Sequence, residues 1–507
     1  MTLVRQLLDQ AARTPESVAL VSGAGAELTY VELRRRVLAV RHGLLSAGLA
    51  PGDGVLFSVR PSPESLVLAL GVVAAGGVVV FADPGAGPEM FTARLRLARP
   101  RWSAAESVLY AGSRLRPVRA YARRRGLLLP NLADLQIPGE GPMRHIHVGR
   151  RLPGVPRGAL SFARLIRGDA PEPGRDTDPG APAAVIFTSG TTASPRAVVH
   201  TQGSLAAALE LFRSRLPLGP GDVVHTDQLM LGLPTLIAGA RWSMPPLFCP
   251  PAGFARLMRE RGATHTFCVP VHLAEILDVV PEIPPSVRYV LLGAAPAPAP
   301  ILRRAMAAAP SAEVLSVYAM TEILPVAIAS AQEKLAHAES GVAQGEGDLL
   351  GAPLPGVGAR LAEDGELLLS GPNLCRGYLG ADPITELPTG DLARMDEGRL
   401  VLIGRKKDML IRGKFNLYPG LYEPSIAALP DVVEAAIVGV PDPQTGDEEV
   451  VLAVVGPPRL RVQLQRSLPD VIDHDALPDR IVVLDELPRS GRTRKLDRDR
   501  LRVLVAQ

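Results

Sequence analysis

Apolar residues along this chain fall into short runs divided by glycine, proline and charged positions. The runs alternate between helical and strand spacing. Residues 1–23 predict an amphipathic helix and a short strand. Leu28-Thr29-Tyr30-Val31-Glu32-Leu33 opens a helix: Thr29 can cap it, and Glu32 lies three residues on, as a capping box requires. Helical spacing continues over 34–49, Pro51-Gly52-Asp53 predicts a turn, and 54–59 a strand. The longest apolar run, 66–82 (LVLALGVVAAGGVVVFA), is short for a membrane span and is broken by Gly71, Gly76 and Gly77. It predicts a buried helix, a glycine turn and a parallel strand over 78–81, with a loop at Asp83-Pro84-Gly85. This strand–helix–strand alternation predicts an α/β fold with a mostly parallel sheet.

Residues 86–182 are rich in arginine and proline and predict surface elements, with helical fragments such as 117–125 and a flexible approach over 167–182. Further on, 185–187 predicts a strand, 200–216 a helix, 264–273 a strand running into a helix, and 289–292 and 314–317 strands. Residues 351–356 and 365–373 predict a hairpin region, and Thr389-Gly390-Asp391 precedes an acidic turn that ends at Gly398. Beyond Asp408 a small α+β domain is expected: strands over 409–411, 432–440, 449–455 and 480–484, and a helix over 424–429. With 507 residues the chain exceeds one core. The expected division is 1–404 and 405–507.

Composition narrows the class. Hydrophobic content of 47% with 21% charged residues describes a globular protein. A net charge of +3 offers nucleic acid no footprint. Cys249, Cys268 and Cys375 are widely spaced in apolar surroundings, which suits reduced core thiols and a cytoplasmic setting. No basic-then-apolar signal segment begins at Met1. Lysine is confined to Lys334, Lys406, Lys407, Lys414 and Lys495, so in this arginine-biased chain lysines gather toward the C-terminus.

Residues 185–199 read VIFTSGTTASPRAVV. A loop of glycine and hydroxyl residues after a buried strand can aim N–H and O–H donors at an anion, and Arg196 adds a charge-assisted partner for phosphate oxygens. The same residues also suit an ordinary turn between strands. The spacing of a Walker loop is absent. A second strand ends in Gly293-Ala294-Ala295-Pro296, exposing backbone at its carboxyl end, where open α/β sheets bind ligands.

Thr188-Ser189-Gly190-Thr191-Thr192 resembles the phosphate loop of the adenylate-forming superfamily: acyl-CoA synthetases, luciferases and peptide-synthetase adenylation domains. Ala193, Arg196 and Ala197 replace the usual Gly, Lys and Gly. Four more stretches resemble the family in order: the 293–296 turn; Tyr318-Ala319-Met320-Thr321-Glu322, with Ala319 for Gly; Thr389-Gly390-Asp391 with Arg405-Lys406-Lys407-Asp408; and Leu487-Pro488-Arg489 through Arg494-Lys495-Leu496-Asp497, with Arg494 for Gly. The resemblance covers nearly the whole chain. It implies a large N-terminal domain of mostly parallel sheets with a β-rich subdomain, and a small mobile C-terminal domain. It implies that a carboxylic acid and Mg-ATP give an acyl adenylate and pyrophosphate, followed by transfer to coenzyme A or a carrier-protein phosphopantetheine. Gly293, Ala294 and Ala295 would flank adenine and acyl group, Tyr318 would stack on adenine, and Thr321 would bond the α-phosphate. Glu322 and Thr191 would hold Mg2+. Asp391 would take the ribose hydroxyls, with Arg405 near ribose or phosphate. Lys407 would mark the hinge, and Lys495 would be the catalytic lysine.

Val269, Ala294, Ala295 and Ala319, in a chain with only 4% aromatic residues, suggest an apolar acid pocket without a fixed charge. Leu229 stands where many members carry a His, and Asp227 is the nearest candidate for an ammonium partner. Lys414, after Gly413, replaces a second glycine beside the expected thiol path; it either crowds the thiol or binds an acceptor phosphate. Two other endings stay open: an adenylate-forming enzyme that closes a β-lactone or makes an amide, and a degenerate member that only binds. The expected partners are a small carboxylic acid and an acyl- or peptidyl-carrier protein or coenzyme A, with neither nucleic acid nor a membrane span.

Overall fold

Strand-length apolar runs become sheets and the amphipathic runs between them pack as helices, in two compact units of the computed structural model: residues 1–249, 321–324 and 372–385, and residues 250–320, 325–371 and 386–507. The structure describes residues 2–82, 88–124, 129–137, 141–173, 178–187, 195–340, 347–412, 415–441, 448–472, 476–490 and 494–506.

The first unit holds an eight-stranded sheet in the order Gly377–Tyr378, Ala197–Thr201, Pro182–Phe187, Val78–Phe81, Gly54–Ser58, Trp102–Glu106, Arg144–Val148 and Leu160–Ser161. From Pro182–Phe187 onward the pairings are parallel; the first two strands run antiparallel to their neighbours. The 66–82 run behaves as expected, giving helix Pro63–Ala74 and strand Val78–Phe81. Thr29 caps helix Tyr30–Ser46 through the Glu32 N–H, but the Glu32 side chain turns to Arg35 and Arg36, so only half of the expected capping box forms. The same unit carries strands Val223–His225, Arg241–Ser243, Val18–Val21 and Glu27–Thr29. Its core centres on fully buried Tyr30, whose hydroxyl donates to the carbonyls of Leu236 and Ala240 at 3.0 and 2.7 Å.

Residues 86–182 correct the sequence reading. Trp102–Glu106 and Arg144–Val148 lie inside the sheet, with Trp102, Ala104 and Ile146 buried. The helix expected over 200–216 begins only at Gln202; His200 belongs to a strand.

In the second unit His265–Cys268, Tyr289–Leu292 and Glu313–Tyr318 run parallel and level, with Cys268 opposite Leu292 and Leu292 opposite Ser316. Ala327–Ser330 pairs antiparallel beyond them. A five-stranded sheet follows in the order Asp348–Gly351, Arg399–Arg405, Leu387–Asp396, Glu366–Ser370 and Gly358–Leu361, every pairing antiparallel. Thr389-Gly390-Asp391 lies within the strand Leu387–Asp396, and the expected acidic turn follows at Glu397-Gly398. The C-terminal part is α+β: strands Glu434–Pro441, Glu448–Val455 and Arg480–Leu484 bury Val450, Leu452 and Val454 beneath helices Pro419–Ala427 and Leu460–Ser467. Among the described residues no helix is long and apolar enough to cross a membrane.

Candidate functional site

In the first unit, strands Pro182–Phe187 and Ala197–Thr201 pair antiparallel on either side of residues 188–194, with Phe187 opposite Ala197. Thr188, Ser189, Gly190, Thr191 and Thr192 lie outside the described residues. Arg196, at the return, stands over the Tyr378 ring at 5.8 Å, a cation–π distance. Tyr378 pairs with Val198 through the backbone and donates its hydroxyl to Glu322 Oε1 at 3.0 Å. Burial, then the Glu322 charge, pushes the Tyr378 pKa up to about 12, which keeps it a donor. The backbone of Glu322 is pinned by the Cys375 N–H at 2.8 Å and by a bridge between Ile323 and Leu374.

His200 holds Thr321 from the opposite side. Its Nε2 lies 2.7 Å from the Thr321 carbonyl oxygen and its Nδ1 3.1 Å from Ser204 Oγ. Burial holds its pKa below the usual histidine range, against the backbone hydrogen bond and the Glu322 charge, so the ring is neutral. The sequence reading missed both His200 and Tyr378. It sought a histidine near Leu229, which instead opens helix Leu229–Ile237 half exposed. Asp227 is also exposed and accepts from Gln228.

The second unit gathers three expected residues into one cluster. Asp391 faces Arg405 across the ladder, which places the guanidinium Nε 2.8 Å from Asp391 Oδ1. The Tyr318 hydroxyl donates to Oδ2 at 2.6 Å. Asp391 is only 1% exposed, so its charge is held by two donors rather than by water. Burial and then the Asp391 carboxylate push the Tyr318 pKa well above the phenol range. Burial lowers the Arg405 pKa, but the charges of Asp391 and Asp408 outweigh it and the net direction is up.

Val269, Gly293, Ala294, Ala295 and Ala319 all emerge at the carboxyl ends of the three level parallel strands. A Cβ on Gly293 would meet the Phe267 ring at 2.8 Å, so glycine is required there. Ala294 has φ +64°, the left-handed region, a strain of about 1–2 kcal/mol that concentrates at ligand-facing turns.

Lys407 lies exposed in the single turn Lys406–Asp408; its neighbour Lys406 pairs with Asp364 and Glu366, each at 2.6 Å. Lys495 is exposed too. The sequence placed it in a loop, but it sits in a two-residue strand opposite Ser490. Arg494 before it has φ +49° and pairs with Glu275. Gly413 and Lys414 lie outside the described residues.

Comparison with known proteins adds independent support. A family model described as AMP-binding enzyme matches residues 7–379, and one described as AMP-binding enzyme C-terminal domain matches 422–495. The feruloyl-CoA synthase of an Amycolatopsis species is 29% identical over 473 residues, covering 88% of this chain and 87% of that protein. The medium-chain fatty-acid–CoA ligase of Escherichia coli K12 is 26% identical over 524 residues, covering 95% and 87%. The amide bond synthetase McbA of Marinactinospora thermotolerans superposes with a TM-score of 0.80 over 99% of both chains at 24% identity, a likeness of fold. ATP-bound MatB from Rhodopseudomonas palustris gives 0.78 over 99% of both chains at 25%.

Proposed function

We propose, for a chain that belongs to the AMP-binding enzyme family of the adenylate-forming superfamily, that it activates an apolar carboxylic acid with ATP and passes the acyl group to a thiol. The carboxylate oxygen attacks the α-phosphorus, the bond to pyrophosphate breaks, and an acyl adenylate forms. A thiolate then attacks the acyl carbonyl and AMP leaves. The curated relatives are coenzyme A ligases, so coenzyme A is the acceptor this reading favours, with a carrier-protein phosphopantetheine as the alternative source of thiol.

The observation that carries the reading is the Tyr318–Asp391–Arg405 cluster, built on a buried Asp391. Each Asp391 oxygen has one protein donor and a lone pair left for a ribose hydroxyl. Thr188 to Thr192 with Arg196 take the phosphates, Thr321 the α-phosphate, and Gly293 to Ala295 flank adenine. Glu322 suits a cation: Tyr378 occupies one of its oxygens, and the other has no partner among the described residues. Mg2+ prefers one or two carboxylates plus substrate phosphates, so Glu322, with Thr191, would hold it. When bound, it would neutralise charge on the phosphates.

Lys495 supplies the ammonium that stabilises charge at the reacting phosphorus. The family's hinge at Lys407 would bring it there, between the divisions 1–404 and 405–507. Gly413 and Lys414 would border the thiol path. By the family resemblance, Val269, Ala294 and Ala319, with Leu229 at the position of the family's histidine, would border an apolar acyl or aryl group.

The test is pyrophosphate release over a panel of aliphatic, aryl and amino acids, each with coenzyme A, with a loaded carrier protein, or with neither. The expected result is acid-dependent release and a thioester with apolar acids. Release without any thioester points to another ending; no acid-dependent release overturns the reading.

A further inference from the structure

The strand returning from the phosphate loop carries a fully buried histidine that joins two parts of the chain 121 residues apart. His200 Nε2 is 2.7 Å from the Thr321 carbonyl oxygen. A carbonyl oxygen only accepts, so Nε2 carries the proton. Nδ1 then accepts, and Ser204 Oγ stands 3.1 Å away to donate. Ser204 is itself fixed, because it is the third residue of helix Gln202–Arg215 and closes a capping box with Thr201. A line of hydrogen bonds therefore runs from that helix end through Ser204 and His200 to Thr321. The next residue is Glu322, whose carbonyl and carboxylate are held from the other side by Cys375 and Tyr378.

We propose that His200 is a positioning residue for adenylate formation. By gripping the Thr321 carbonyl it sets the direction in which the Glu322 side chain leaves the backbone, and so where a cation between that carboxylate and the nucleotide phosphates would sit. The inference rests on the reading of Glu322 given above. Without the imidazole, the Thr321 carbonyl must turn to find another donor or remain unpaired in a buried place, and in either case the peptide plane before Glu322 loses its anchor. Partners that orient a metal-binding carboxylate typically matter 10- to 100-fold.

Three variants separate this bond from mere filling of space. In His200→Gln the terminal amide N–H reaches about where Nε2 was; in His200→Asn the amide is too short; His200→Leu fills the space without a donor. Each is measured, with Glu322→Gln alongside, for acid-dependent pyrophosphate release across a Mg2+ titration and for thermal midpoint. His200→Gln is expected to keep most of the wild-type rate and Mg2+ dependence. His200→Asn and His200→Leu are expected to lose roughly 10- to 100-fold in kcat/KM for Mg-ATP, with the half-saturating Mg2+ concentration raised. Folded Asn and Leu variants that match wild type overturn the inference, as does a Gln variant impaired as deeply as Leu. If His200→Leu fails to fold, the Gln–Asn pair still decides. If Glu322→Gln leaves the Mg2+ dependence unchanged, the reading of Glu322 has failed; losses in the His200 variants beside it would then show that His200 acts by another route, which also overturns the inference.

Discussion

Two groups of the second unit, Tyr318–Asp391–Arg405 and the hairpin bearing Lys495, are built in opposite ways. Asp391 is buried, fixed by strand register, and held by a phenol and a guanidinium at 2.6 and 2.8 Å. Lys495 is exposed on a two-residue ladder, next to an arginine in the left-handed region. A group that binds the substrate in its ground state gains from being preorganised. A cation that acts only on the reacting centre can be kept outside until needed, since binding strength at that point would not raise the rate. On the proposed reading, the first group would serve affinity and the second rate.

Breaking the exposed group should cost most in turnover and least in stability. Lys495→Ala is expected to lower acyl-adenylate formation roughly 100- to 1,000-fold, with little change in thermal midpoint or in KM for ATP; stopped-flow pyrophosphate release and thermal melting check both. Breaking the buried group should do the reverse. Asp391→Asn removes a charged acceptor and is expected to raise KM for ATP roughly 10- to 100-fold, with a smaller change in kcat. Relieving strain beside the cluster gives a smaller effect. Ala294→Gly removes a left-handed penalty of about 1–2 kcal/mol but gives back about 0.5–1 kcal/mol of chain entropy, so denaturant melts should show a gain of about 0.5–1 kcal/mol.

The smallest effect concerns a residue of the first unit and serves as a control. Ion pairs with Arg35 and then Arg36 lower the Glu32 pKa from 4.5 to about 2. A depressed carboxylate contributes stability that is complete above about pH 4.5 and gone below about pH 2. The Glu32 side chain is 31% exposed, so solvent partly screens the pairs. Glu32→Gln should therefore cost only about 0.2–1 kcal/mol at pH 7. That gap from wild type should close as pH falls through this window, with ATP binding unaffected.

Part of the fold around the candidate site was legible in the sequence, because Tyr318 and Arg405 close their strands, where local patterns are informative. Tyr318, Asp391 and Arg405 were all named from their own stretches, and the parallel strands behind Val269, Gly293 and Ala319 follow from apolar runs bounded by turns. What escaped depends on distant pairing. Trp102–Glu106 is WSAAE, with no long apolar run, and becomes an interior strand through its parallel neighbours. His200 looked like the start of a helix; its partner at Thr321 lies 121 residues away, beyond any local period.

The central claim is that this chain makes a mixed anhydride of a carboxylic acid and AMP. The most direct measurement omits the thiol: enzyme, ATP, Mg2+ and an apolar acid accepted in the panel are mixed in a single turnover, quenched, and the released small molecules weighed by mass spectrometry. The account predicts the mass of the acyl adenylate in near-stoichiometric amount with wild type and its absence with Lys495→Ala. Unchanged ATP with every acid, or hydrolysis to ADP and phosphate, would contradict it.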